Sequence, residues 1–178
     1  MAENGNVLVT PRLVLRPFEE KDAEALLEIY SDGEVTKYLR REPYDTLTDA
    51  ETFIRGILAA ENPQLFCRAI ELQETGKVVG SVRIVVDQND NCGELTFAVS
   101  REFWGKGIAS EAVREAVVYL MTECGINRIS GVHAVTNPAA GGVLRKVGMS
   151  YEGVARQLFR NSQGYHDCHR YAILKSDI

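Results

Sequence analysis

Residues 92–135 restrict the fold more than any other stretch. The alternating run "CGELTFAVS" leads through "REFWGKG" into a stripe of Ala109, Ala112, Val113, Ala116, Val117, Leu120 and Cys124. That spacing predicts a helix over about 107–124, and Gly125 is a good stop. "RISGVHAV", about 128–135, is extended again. A strand, a helix and a second strand in that order predict a right-handed crossover between parallel strands.

The remaining elements are read around this unit. Val7–Phe18 alternates after Pro11 and predicts one strand, at an edge because of the proline. Residues 19–31 predict a helix, with Ala23, Leu26, Leu27 and Tyr30 inward. The mixed-charge loop "SDGEVTKYLRREPYDT" follows. Thr48 and Glu51 match a capping box for a second helix to about residue 61, with Phe53, Ile54, Ile57 and Leu58 inward. Strands are expected at about 64–72, 77–86 and 92–100, with turns at "ETGK" and "DQNDNCG". Asn137-Pro138 reads as an N-cap with proline in the first helical position of a short helix that ends at Gly148. Two strands, about 150–160 and 165–174, close the chain around "NSQG". The order predicts an α/β fold: a mixed sheet with helices on both faces.

With 178 residues, 45% of them hydrophobic, the chain sustains one core and is short for two, so 1–178 is read as a single domain with residues 1–6 a flexible N-terminus. No run approaches a membrane span, and "MAENGNVLVT" has no secretion pattern; a cytoplasmic protein is expected. The net charge of −5 argues against nucleic acid as the main partner. Cys67, Cys92, Cys124 and Cys168 contain no C-x-x-C pair, so they are read as reduced thiols and no metal is expected. His166 and His169 are three apart in a strand and face opposite ways, which does not suit a metal.

The glycine loop is where chemistry enters. A helix N-terminus offers unpaired N–H groups and the positive end of a dipole to an anion. Gly105 and Gly107 let a phosphate approach the backbone from about Gly105 to Ser110, and Lys106 can add charge. The P-loop spacing is absent. A dinucleotide fingerprint needs a third glycine where Ser110 stands, and an earlier place in the fold. A coenzyme A pyrophosphate and a plain turn before a helix stay open on spacing alone.

"REFWGKGIASEAV", "TNPAAGGVLRKVGM" and "YEGVAR", in that order, with the opening "TPRLVLRPF", resemble the GNAT superfamily of N-acetyltransferases. Within it they resemble the ribosomal-protein N-terminal acetyltransferases. The resemblance covers nearly the whole chain. The family's Q/R-x-x-G-x-G/A motif falls on Trp104-Gly105-Lys106-Gly107-Ile108-Ala109, with tryptophan at a position where this branch often carries it. The resemblance implies a splayed GNAT-like sheet. It implies that N–H groups of Gly105, Lys106, Gly107, Ile108, Ala109 and Ser110 bind the pyrophosphate of acetyl-coenzyme A. It further implies that Phe97, Ala98 and Val99 pair their backbone with the pantetheine arm, as an added strand would, and that Asn137 contacts the coenzyme as well as capping a helix.

The implied reaction is direct acetyl transfer to an amine, either a protein N-terminus or a small molecule. Glu94 stands where this branch carries a glutamate and is the candidate base. By alternation it shares a strand face with Thr96 and Ala98, opposite Leu95, Phe97 and Val99. An ordinary carboxylate is a weak base for an ammonium, so partial burial or a relayed water is needed. The family's tyrosine acid is replaced by Leu144 and the branch's serine by Ala140. Tyr151 and Tyr165 are the phenols left to consider. Gly141 and Gly142 should each weaken their helix by about 1 kcal/mol relative to alanine. The acceptor site is expected between the 31–46 loop and "NSQGYHD", lined by Tyr38, Tyr44, Tyr165 and Asp167. A non-catalytic coenzyme A sensor or scaffold, and a ribosome-binding protein, are the alternatives. Monomer and homodimer both stay open.

Overall fold

The computed structural model describes residues 6–59 and 64–178. The strands are β1 (Leu8–Val9), β2 (Leu13–Arg16), β3 (Leu65–Leu72), β4 (Val78–Asp87), β5 (Cys92–Val99), β6 (Arg128–Ala134), β7 (Ser150–Asn161) and β8 (Gly164–Leu174). The helices are α1 (Ala23–Tyr30), α2 (Gly33–Thr36), α3 (Leu47–Ala59), α4 (Ile108–Thr122) and α5 (Pro138–Val147). The eight strands form one sheet in the order β1-β2-β3-β4-β5-β6-β8-β7.

Strand alternation sorts the core into two layers. Phe66 and Ile70 of β3, Val82 and Ile84 of β4, and Leu95 and Val99 of β5 pack with Ile108, Val113 and Leu120 of α4 and Leu144 of α5. Cys67 and Ala69 of β3 and Ala98 of β5 face the other way, against Leu26, Ile29 and Tyr30 of α1 and Ala50 and Ile54 of α3. So helices cover both faces, and Leu95 and Val99 lie opposite Ala98, as the alternation predicts.

Four local expectations are corrected. The single strand over Val7–Phe18 is a tight hairpin, with Leu8 opposite Leu15. Pro11 lies in its turn, where its missing N–H costs the ladder nothing. The cap of α3 falls two residues early: Asp49 Oδ2 accepts from the Thr46 N–H at 2.8 Å and the Thr46 hydroxyl at 2.9 Å. Leu58 is exposed, and Ala50 takes an inward place instead. The loop between the first two long helices also contains α2, capped by the Asp32 side chain on the Glu34 N–H at 2.9 Å. Residues 60 and 61 of the expected second helix, and residues 1–5 of the expected flexible N-terminus, lie outside the described residues. Asn6 donates to the Tyr119 hydroxyl at 2.8 Å.

The centre of the sheet positions the site. β5 and β6 are parallel neighbours, but their register runs only from Cys92↔Arg128 to Leu95↔Gly131. Beyond that point β5 stays with β4 through Val99, and β6 stays with β8 through Ala134↔Cys168. The sheet parts there.

Candidate active site

The parted edge has a definite polarity. The Ser100 N–H donates to the Val79 carbonyl at 2.8 Å, which makes that antiparallel pair a hydrogen-bonded one. Counting back through the β4–β5 register, Ala98 and Thr96 also turn their backbone groups to β4. Phe97 and Val99 therefore turn theirs into the gap beside β6. Of the three residues expected to meet a pantetheine arm, two present backbone there. Ala98 lines the cavity as well, but its backbone is committed to Ser81. The Val99 carbonyl accepts from the Trp104 indole N–H at 2.7 Å, so Trp104 ties the strand end to the loop that follows.

That loop opens α4 with its backbone bare. Gly105 has φ +75° and Gly107 has φ +81°, left-handed conformations that favour glycine. Gly107 is the N-cap and offers no side chain. The first bond within the helix is Glu111 N–H to the Gly107 carbonyl, 3.1 Å. The N–H groups of Ile108, Ala109 and Ser110 thus have no acceptor inside the helix. The Lys106 side chain turns to a neighbouring ring. Its ammonium lies 5.0 Å from the Phe103 ring centroid, and the residue is not part of the cavity wall.

A clamp invisible to motif reading holds this loop. Arg12, in the β1–β2 turn, donates through Nη1 to the Lys106 carbonyl at 2.9 Å. Its Nε reaches Glu111 Oε2 at 2.7 Å, and Thr10 Oγ1 donates to Glu111 Oε1 at 2.6 Å. Partial burial of Glu111 raises its pKa, but the bonds from Thr10 and Arg12 outweigh this and hold it below the usual carboxylate range. About a hundred residues separate the partners, so the sequence carries no local sign beyond an acidic residue in a first helical turn.

Loop, gap and Glu94 share one cavity of about 800 Å³, within the usual range for ligand sites. Gly105, Gly107, Ile108, Ala109, Ser110, Phe97, Ala98 and Val99 line one end. Tyr38, Arg40, Arg41, Arg83, Glu94 and Phe159 line the other. Glu94 is 56% exposed, with Arg40 Nη2 at 4.0 Å from its carboxylate. Asn137 lines the cavity and caps α5, its Oδ1 accepting from the Ala140 N–H at 3.4 Å. The 31–46 loop is tied across the cavity by the Tyr38 hydroxyl, which donates to the Thr136 carbonyl at 3.1 Å. Asn161 Nδ2 holds the same loop through the carbonyls of Lys37 and Leu39.

Other expectations about this end fail. Tyr44 is core, not wall. Tyr165 is 65% exposed and off the cavity. Asp167 lies outside the wall too, accepting from the Gln157 N–H at 2.7 Å. Tyr151 does not line the cavity either; its hydroxyl is 3.3 Å from His169 Nδ1. Leu144 is buried under Gly131, whose absent Cβ would stand 3.0 Å from it.

His133 does line the cavity, at 5% exposure. Its Nδ1 is 2.8 Å from the Ala134 carbonyl and must carry the proton, leaving Nε2 as a buried lone pair without a partner. Burial holds its pKa below the usual value, against the raising effect of that carbonyl. Gly141 makes room for the ring: a Cβ there would stand 2.4 Å from Nε2. Among the described residues no group of three or more metal-ligating side chains occurs, and no helix is long and apolar enough to cross a membrane.

A splayed mixed sheet, a glycine-opened helix and one cavity joining them define the class, and comparison with known proteins agrees. Residues 12–150 match the model of the acetyltransferase (GNAT) domain family, so the chain belongs to that family. It is an acetyl-coenzyme A–dependent N-acyltransferase. An uncharacterized N-acetyltransferase, p20 of Bacillus licheniformis, is 32% identical over 96% of this chain and 97% of its own. A GNAT-family acetyltransferase from Bacillus anthracis superposes with a TM-score of 0.87 at 26% identity, over 96% of this chain and 99% of that one. The spermidine N(1)-acetyltransferase of Escherichia coli is 24% identical over 90% of this chain and 85% of its own. Ribosomal-protein acetyltransferases are among the further structural matches.

Proposed function

We propose that this chain transfers the acetyl group of acetyl-coenzyme A directly to a primary amine bound in the same cavity. The acceptor is a protein N-terminus, such as that of a ribosomal protein, or a small-molecule amine. One observation carries the reading: the start of α4 with its bare N–H groups, the open edge of β5 and Glu94 all line one cavity.

The coenzyme supplies the activated acetyl group. The amides of Ile108, Ala109 and Ser110 suit its pyrophosphate. Phe97 and Val99 offer backbone groups to the pantetheine amides and N–H donors near the reacting carbonyl. Glu94 takes the proton of the amine. Being half exposed, it works through a relayed water rather than as a desolvated base. Leu144 and Ala140 stand where the usual acids would and carry no proton to give, so the thiolate leaves into the donors of the parted edge.

Thiol release from acetyl-coenzyme A against a panel of amines and N-terminal peptides tests this. Amine-dependent release should fall about 10²-fold in Glu94→Gln while coenzyme binding holds. Tight coenzyme binding with no release for any amine would favour a non-catalytic sensor. Failure to bind coenzyme A would contradict the reading at its root.

A further inference from the structure

The acceptor class can be narrowed if the transferase reading holds, on which this inference rests. Three guanidinium groups, those of Arg40, Arg41 and Arg83, line the acceptor end against two carboxylates, Glu34 and Glu94. Glu34 has its own cation, Lys37, at 3.7 Å. Glu94 makes one ion contact among the described residues, to Arg40, and it is long at 4.0 Å.

Neither Arg41 nor Arg83 has a carboxylate within ion-pair distance among the described residues. Arg41 is held by rings instead. Its guanidinium carbon lies 4.5 Å from the Phe53 centroid, 4.6 Å from Tyr44 and 4.7 Å from Tyr30. Such a cage fixes a cation without neutralising it. The Tyr30 hydroxyl is 2.6 Å from Ser81 Oγ. Arg83 follows two residues later on the same face of β4, opposite Thr96, and the next pair on that face is Val85 and Glu94. The cations and Glu94 therefore form one neighbourhood. It is locally positive in a chain of net charge −5.

A polyamine would bring further positive charge into this neighbourhood. An amine with an anion close by would place its ammonium at Glu94 and its anion on the arginines, which form strong forked bonds to carboxylates. We propose that the acceptor carries a carboxylate beside its reacting amine. The carboxylate belongs either to a free α-amino acid or to an acidic residue next to the amino-terminal residue of a peptide.

The test is thiol release from acetyl-coenzyme A with matched pairs of acceptors. One pair is alanine and alaninamide. The other is the C-terminally amidated peptides Ala-Asp-Ala and Ala-Asn-Ala. Spermidine completes the set. In at least one pair the carboxylate-bearing member should have a kcat/KM about tenfold higher, the scale of one charge-assisted bond, and the pair that shows it identifies the source. Arg83→Gln and Arg40→Gln should each shrink that ratio at least about threefold, a comparison that cancels any loss of folded protein. A preference for the neutral members or for spermidine overturns the proposal and leaves the transferase reading standing. A ratio untouched by both substitutions overturns it as well. No release with any acceptor overturns both.

Discussion

The two ends of the cavity are made of different material. The end proposed for the coenzyme is backbone: amides at the start of α4, a parted strand edge, and two glycines at positive φ. The end proposed for the acceptor is side chain: Tyr38, Arg40, Arg41, Arg83, Glu94 and Phe159, drawn from a loop and three strands. Backbone recognition suits a ligand that never changes, because it depends on the course of the chain more than on side-chain identity. Side-chain recognition can be altered residue by residue. The difference explains how one fold keeps its acetyl donor while relatives differ in acceptor.

The largest expected effect attacks the backbone end. Gly107→Val should weaken coenzyme binding at least about tenfold in calorimetry, because a β-branched residue at φ +81° is strained by roughly 1–3 kcal/mol. The loop must shift to relieve that strain. The KM for the amine should move much less. An equal loss at both ends would break the comparison.

The Arg12–Glu111 clamp comes next. Glu111→Ala removes the acceptor for Thr10 and Arg12, so thermal or chemical unfolding should show a loss of about 1–3 kcal/mol. The KM for acetyl-coenzyme A should rise severalfold with the amine KM unchanged.

Adjacent glycines sharpen the boundary between the ends. Gly141→Ala drives a methyl into His133 and should destabilise by about 1–3 kcal/mol. Gly142 has nothing within 4 Å of an added Cβ, so Gly142→Ala should stabilise by up to about 1 kcal/mol, the ordinary helix gain.

The smallest effect is in pH. His133 binds a proton less readily folded than unfolded. Its contribution to stability is therefore complete above about pH 6.5 and is lost as the pH falls through that value toward its lower folded pKa. Melting temperatures between pH 8 and 5 should show this loss, and His133→Leu should flatten it.

The same contrast in material explains what the sequence revealed. Gly105, Gly107, Asn137 and Gly148 announce themselves because turns and caps need special residues at fixed spacing. The order of elements from residue 65 onward follows from alternation and turn chemistry for the same reason, whereas the insertion of β8 between β6 and β7 has no local signature. The acceptor wall has no such signature. Arg83 alternates like any exposed strand residue, while Tyr165 and Asp167, plausible by position, turn away from the cavity. The Arg12 clamp and the His133–Gly141 contact join segments that only the folded sheet brings together. The hairpin at Pro11 was legible in principle, since a proline between two short apolar runs reads as a turn as readily as an edge strand.

The central claim is that the parted edge of β5 is the coenzyme's strand partner. Backbone amide signals, followed by NMR hydrogen exchange with and without coenzyme A, test it directly. The account predicts new protection at Phe97 and Val99 and at Ile108, Ala109 and Ser110, with Thr96 and Ala98 unchanged because they already pair with β4. Protection spread evenly along β5, or absent from Phe97 and Val99 in the bound state, would contradict it.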